Sequence, residues 1–419
     1  MFNKIASTFI SKILTAIASL ATVVIISQYM GAEVKGQTSL IVFGITLILL
    51  ISNIVGGAAL VYLVPRHNLF QLVFVSNIWS MIICIPAWFV FSWLRIAPEP
   101  LIKHIILLSL LDSFVATNLS VLIAKQKLLL SNIVSLLLAL ISCLFLVYVV
   151  QDPEKRNIIQ FVYSLYITKI ICLALSVIPF VGDILKINFK GVSAVIHELF
   201  NRGLTNQAGH IMKFMSVRLC YFLISRINGD APLGVFSNGV SLAEALLLVT
   251  NSFAMVQYSA IANSNDKTFA QELTLRLTRI STLLCIAGAI VLAVLPANFY
   301  VWLFGNEFAG VKTIIVILLP GIALYNIGLI TGHYFSGIGK YQVNTWGNLA
   351  GLLVAVLMSL FYLNNYSIIV AGIISTATYF ITSLIILVWF MKDSGYKIQH
   401  FTPQFSDFKW IKNNYLGKM

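Results

Sequence analysis

ISQYMGAEVKG, residues 26 to 36, and ISRINGDAPLG, residues 224 to 234, share their first two residues and hold two glycines at the same spacing. The offset is 198. Sliding the chain by that amount superposes residues 2–53 on 200–251 without a gap, and twelve positions coincide: Phe2, Asn3, Ile13, Ile26, Ser27, Gly31, Gly36, Ser39, Val42, Leu49, Leu50 and Asn53 meet identical residues, while Lys4 meets Arg202. A glycine at each end of a short turn between apolar runs suits positive φ and close helix approach. The chain therefore reads as a duplicated unit.

Composition says what the unit is made of. Of 419 residues 59% are apolar and 10% charged, and the mean hydropathy is +0.94 for 46.4 kDa. There are too few polar side chains to clothe a soluble protein of that mass. The apolar runs are mostly long enough, at about 1.5 Å per residue, to cross a hydrocarbon layer roughly 30 Å thick as helices, and alternating β-barrel segments are absent. Breaks at charged, Gly, Pro or Asn clusters give twelve spans, at 2–29, 37–64, 69–93, 101–124, 128–150, 158–181, 200–227, 234–262, 272–299, 311–334, 341–363 and 367–391. Lys4 followed by Ala16-Ile17-Ala18 has the spacing of a signal-peptide cleavage site, but the apolar run continues past it, so an uncleaved first span is expected. Cys84, Cys143, Cys172, Cys220 and Cys285 all lie in apolar runs without a CxxC, which predicts free thiols, no disulfide framework and no metal site.

Basic residues set the orientation. With the N-terminus inside, the inner tails and loops hold 17 of the 27 Lys and Arg, the outer ones 7, and Lys169, Lys213 and Arg218 fall within spans. Both termini are then cytoplasmic. This accounts for the net charge of +13 through lipid headgroups and orientation, with no call for nucleic acid. Six spans per half is an even number, so the halves enter the membrane in the same direction. The expected fold is all-α, a polytopic membrane protein of about twelve transmembrane helices in two parallel six-helix halves around a central cavity. Residues 1–181 form the N-terminal lobe, 182–199 a cytoplasmic linker lying on the inner surface, 200–391 the C-terminal lobe and 392–419 a basic cytoplasmic tail, which also offers a docking segment for a partner enzyme.

On the seventh span Arg202, Asn206, His210 and Lys213 recur at i, i+4, i+8 and i+11, along one helix face. Their partners under the shift are Lys4, Thr8, Lys12 and Thr15, again on one face. A central Lys or Arg facing lipid costs roughly 2.5–3.5 kcal/mol, so both stripes are expected to face a wet cavity. Arg218 lies about 140° round the helix from Lys213, at a depth similar to Glu244, and the two are expected to form a structural ion pair. Lys169 has two readings: a cavity cation, or the partner of Asp112. Glu198, one turn before Arg202, is placed to bridge it. Lys213 is left as the cation without a carboxylate, and His210 as either a packing or a cavity residue. Thr8, Ser11, Thr15 and Ser19 suit helix packing. Such a stripe selects an anion, and phosphate oxygens match it well.

The turns MGAEVKGQTS (30–39) and INGDAPLGVFSNG (227–239), the stretch VWLFGNEFAGVKTIIVILLPG (301–321) and SGIGKYQVNTWGNLAGLLVAVL (336–357) resemble the Wzx-type polysaccharide repeat-unit flippases of the multidrug/oligosaccharidyl-lipid/polysaccharide exporter superfamily. The resemblance covers nearly the whole chain and rests on diffuse Gly and Asn positions. It implies transfer of undecaprenyl-pyrophosphate-linked oligosaccharide, an O-antigen or similar unit, across a bacterial inner membrane by alternating access. Lys4 and Arg202 would attract the pyrophosphate, and Lys213, His210, Asn206, Lys12 and Lys169 would hold it. A polysaccharide polymerase and a chain-length regulator are the implied protein partners and membrane lipids the surroundings; no cofactor is expected, and Na⁺, H⁺ and the membrane potential stand as alternatives for driving the cycle. Where many members carry an Asp late in the seventh span, this chain has Cys220, which puts a mechanism through that acid in doubt.

A multidrug exporter of the same superfamily is the alternative, although exporters of cationic drugs want acidic, aromatic cavities. A fourteen-span lipid II flippase would need two more helices than the sequence supplies. A membrane polymerase or ligase would need a sizeable outer loop with catalytic side chains, whereas Arg95–Pro100 and Gln151–Asn157 are short, and no HExxH, phosphate-binding loop, GxSxG or paired-carboxylate site occurs. Transport is expected, not catalysis.

Overall fold

Gly31 has φ 83° and ψ 177°, a backbone that L side chains rarely adopt, and it breaks a helical stretch that would otherwise run from Phe2 to Ser52. Gly229, its partner under the 198-residue shift, has φ 96° and ψ 175° and ends the long helix of the seventh span. The repeat read from sequence is thus a repeat of backbone conformation. In this computed structural model residues 2–402 apart from 265 are described, together with 404 and 407; for 2–10, 205 and 206 only the backbone is described.

Fifteen α-helices and no strand occur among the described residues: α1 Phe2–Ser52, α2 Gly57–Leu63, α3 Leu69–Leu94, α4 Glu99–Ala124, α5 Leu128–Val149, α6 Ile158–Val177, α7 Val181–Ile184, α8 Val192–Asn228, α9 Asp230–Ala245, α10 Leu247–Ala262, α11 Lys267–Val294, α12 Ala297–Phe304, α13 Val311–Gly337, α14 Gln342–Phe361 and α15 Ile368–Ser394. Side chains at the polar breaks start several of them. Asn68 accepts from the Phe70 N–H at 2.9 Å, Asn157 from Ile159 at 3.1 Å and Asp266 from Thr268 at 2.9 Å, satisfying donors that a first helical turn leaves open.

Nine described stretches are long and apolar enough to cross a membrane, and α9 with α10, bent by 45°, form a tenth. The first of them, Ser11–Leu63, has 53 residues, about 80 Å of helix against a core of roughly 30 Å. Broken at Gly31, it makes two crossings. With α8, which carries Arg202, Lys213 and Arg218, the count reaches the twelve read from the sequence.

The chain divides into two compact units. Of the described residues, the first comprises those up to Ile211 with Tyr221–Val235 and Val301–Phe308; the second comprises those of Met212–Cys220, of Phe236–Tyr300 and from Ala309 onward. α8 and α9 each contribute residues to both units, and α8 begins at Val192, within the stretch 182–199 read from sequence as a linker.

In the first unit α1 packs on α4 and α5, α5 on α6, and α3 on α4. Its core includes Leu60, Leu63, Leu72, Val121, Leu122 and Leu199, all fully buried. Within this unit the two repeat turns meet reciprocally: a methyl group added at Gly36 would fall 1.8 Å from the Asp230 carbonyl oxygen, and one added at Gly234 would fall 2.1 Å from that of Ala32. Both contacts map onto each other under the same shift. Gln28 Nε2 donates to the Trp302 carbonyl at 2.6 Å, and its repeat partner Arg226 donates to the Leu94 carbonyl at 2.6 Å. The helix that restarts after Gly31 is capped from elsewhere in the unit, the Ala32 N–H donating to Glu307 Oε2 at 2.6 Å.

In the second unit α13 is central, packing against α10, α11 and α15. Ile330, Tyr334, Phe335 and Phe390 are buried around it, and Asn326 in its middle is satisfied by Thr250 at 2.5 Å and Thr282 at 2.9 Å. The described part of the tail folds onto α11: Arg279 Nε donates to the His400 carbonyl at 2.6 Å, and the buried Asp407 lies 3.2 Å from Arg279 and 3.5 Å from Arg276. Cys84, Cys172, Cys220 and Cys285 are buried free thiols, and Cys143 is half-buried.

Candidate functional site

The second unit holds a polar chain drawn from four helices. Arg218 on α8 meets Glu244 on α9 with two parallel hydrogen bonds, Nη1 to Oε1 at 2.9 Å and Nη2 to Oε2 at 2.5 Å, the planar fork that Arg alone offers a carboxylate. The Tyr379 hydroxyl on α15 donates to the same Oε1 at 2.7 Å. The Tyr379 ring lies 4.9 Å from that of Tyr325 on α13, and Lys213 Nζ on α8 stands 5.5 Å from the Tyr325 ring centroid. Glu244 accepts three hydrogen bonds from Arg218 and Tyr379. The five residues therefore carry two cations and one carboxylate, with the surplus positive charge on Lys213, stabilised by an aromatic face.

Local sequence explains why these groups converge. On α8, Lys213 and Arg218 are five residues apart, so they project in different directions from one helix. Arg218 takes the carboxylate and Lys213 turns to α13. Cys220, further along the helix, is buried, with Sγ 3.8 Å from the Ala371 carbonyl and 3.9 Å from Ser375 Oγ. No carboxylate stands at that turn.

The remaining residues singled out in the sequence fall in different places. Arg202 is held by Glu198 at 3.1 Å, and its guanidinium lies 4.2 Å over the Tyr62 ring. Glu198 also meets His67 at 3.0 Å, so Arg202 belongs to an ion-pair cluster in the first unit and is not an isolated cation. Lys169 is paired with Asp112 across α6 and α4 and is 7% exposed. This is the Asp112 partnership that is one of its two readings, and a buried cation beside a carboxylate is held by it. His210 is exposed on α8 and Lys12 exposed on α1, while the side chains of Lys4 and Asn206 lie outside the described residues. Ser11 Oγ donates to the Asn132 carbonyl at 3.0 Å and Thr15 Oγ1 to that of Ser11 at 2.8 Å, which are packing roles. Tyr325 and Tyr379 were missed. A Tyr inside an apolar span is the only sequence signal they give, and aromatic residues are common there. Among the described residues no group of three or more His, Cys, Asp or Glu converges as a metal site would.

No protein-family profile matches the chain, and no curated protein matches it either. Solved structures do. A lipid II flippase, MurJ, in an inward closed conformation superposes with a TM-score of 0.76 at 15% identity, covering 98% of this chain and 90% of that one. An inward-facing multidrug-resistance MATE transporter of the MOP superfamily gives 0.72 at 11% identity, covering 91% and 94%. The MATE multidrug transporter DinF-BH gives 0.67 at 13% identity, covering 94% and 96%. The chain has the fold that these membrane transporters share.

Proposed function

We propose that the protein is a flippase. It carries an anionic lipid-linked oligosaccharide, of the undecaprenyl-pyrophosphate type used for O-antigen and similar repeat units, across a bacterial inner membrane by alternating access, with both termini in the cytoplasm. The observation that carries this reading is the surplus cation of the second unit: Lys213 lies beside Tyr325 while the nearby Glu244 is already committed to Arg218 and Tyr379. A cation kept at mid-span in this state is costly in lipid and useful to a phosphate. Among the structures of like fold is one whose own substrate is a lipid-linked molecule, which supports the choice of cargo. His210, Lys12, Lys4 and Asn206 remain candidate contacts for the substrate, and Arg202, tied to Glu198, serves at most as a steering charge. A polymerase and a chain-length regulator remain candidate partners, and Na⁺ or H⁺ a candidate coupling ion.

Export of cationic drugs is the second reading, because other structures of this fold are multidrug transporters and because Glu244 lies among two tyrosines, an arrangement that organic cations favour. Arg218 already occupies both carboxylate oxygens, and this weighs against it. The test is complementation in flippase-null bacteria of known repeat unit. Polymer restored at the surface by the wild type and lost with Lys213→Ala, at unchanged membrane abundance, supports the flippase. Resistance to toxic cations without polymer replaces it with the drug exporter.

A further inference from the structure

An apolar groove of about 290 Å³ runs along α3, lined by Phe70, Val73, Phe74, Ile78 and Met81 with Ile184 of α7, and Asn77 is the one polar side chain in its lining. Phe74, Ile78 and Met81 are exposed along it, so the groove opens on the side of the first unit that hydrocarbon would cover. Its rim is the segment that follows α7. Gln71 Nε2 donates to the Lys190 carbonyl at 2.6 Å and Asn68 Nδ2 to that of Lys186 at 3.5 Å, and the Phe189 ring meets Phe70 and Phe74 edge-on at 5.1 and 5.6 Å. The segment is thereby fixed to the start of α3. Leu185, Ile187 and Phe189 are exposed apolar residues and alternate with Lys186 and Lys190, the composition of chain lying in a membrane interface.

Charge at this rim is positive. Lys190 is exposed, Lys186 is exposed and 3.1 Å from Asp183, Lys125 also meets Asp183, and Lys127 reaches the Pro179 carbonyl at 3.2 Å. Two of these four ammonium groups, those of Lys125 and Lys186, meet the Asp183 carboxylate. We propose that the groove and its rim form a binding site for an anionic phospholipid of the surrounding bilayer, an acyl chain lying along α3 and the headgroup phosphate taken by Lys190 and Lys186. The Asp183 carboxylate already offsets Lys125 and Lys186, and the modest positive surplus left at the rim suits a singly charged phosphodiester better than a pyrophosphate. The site is separate from the Lys213 network and does not depend on the transport reading.

The test uses the purified full chain in bilayer discs of mixed phosphatidylglycerol and phosphatidylcholine, with retained lipids counted by native mass spectrometry. Phosphatidylglycerol is expected to be retained over phosphatidylcholine. That preference should fall by roughly thirtyfold in Lys186→Gln/Lys190→Gln, two surface charges' worth. Ile78→Trp, which fills the groove from its open side, should lower retention of both lipids, and Lys213→Gln should change neither. Equal retention of the two lipids, or a preference that survives the double lysine substitution, overturns the proposal. So does preferential retention of polyprenyl phosphate over phosphatidylglycerol when both are supplied, which would make the groove a substrate site.

Discussion

Lys213 and Arg218 sit on one helix, five residues apart, yet their surroundings give them opposite parts. Arg218 is one half of a bidentate pair, so removing its partner leaves a cation stranded, whereas removing both partners does not. Glu244→Gln is therefore expected to destabilise the protein by about 3–5 kcal/mol, and the double change Arg218→Gln/Glu244→Gln to recover much of that loss; thermal unfolding in detergent measures both. Lys213 stands against the Tyr325 ring and is not part of the Arg218–Glu244 fork. Lys213→Gln should leave the unfolding temperature near that of the wild type and abolish transfer of a fluorescent lipid-linked oligosaccharide in proteoliposomes; a variant that unfolds early but still transfers would make Lys213 a structural residue. At this scale the sequence yielded the cations and their expected partners, because charge inside an apolar span is conspicuous. It could not give Tyr325 and Tyr379, which lie more than a hundred residues away from Arg218 along the chain and meet it only once α13 and α15 are packed.

Helices of this chain are bounded by residues that can be read one by one, and so most of the element list was legible: Asn68, Asn157 and Asp266 are polar groups at the ends of apolar runs, where a first turn needs acceptors. Two features were not. The periodicity of α8 gives no hint that it joins both compact units, and the helical start at Val192 falls where composition alone reads as linker. The glycines of the paired turns were legible as glycines, but their reason, backbone against backbone, needed coordinates. Gly36→Ala puts a methyl group 1.8 Å from the Asp230 carbonyl oxygen, so the turns must part, at a cost of about 1–3 kcal/mol. Gly182→Ala, with nothing within 4 Å of the added carbon, is the matched control and should be neutral. Scanning calorimetry of the two variants side by side checks this, and equal unfolding temperatures would mean that the turns tolerate separation.

An even number of crossings would leave both ends of the chain on one side of the membrane, and the excess of basic residues in the loops on that side is the reason we propose it is the cytoplasm. Single cysteines introduced at Glu154 and Gln399 in a cysteine-free background should react differently with an impermeant maleimide on intact cells, Glu154→Cys labelling and Gln399→Cys remaining silent until the cells are opened. The reverse pattern would invert the topology. Fold class and duplication were available from composition and from the 198-residue offset because both are global properties. Cargo was not, since transporters of like fold move unlike molecules. The glycine turns reach furthest back. Asp230 is to Gly36 what Ala32 is to Gly234, so each contact is the other's image, as in the self-complementary patch of a twofold dimer. Two separate copies of the repeated turn could meet in the same way. In the duplicated chain each glycine faces a residue of the other repeat, so the two facing positions can differ, as Ala32 and Asp230 do.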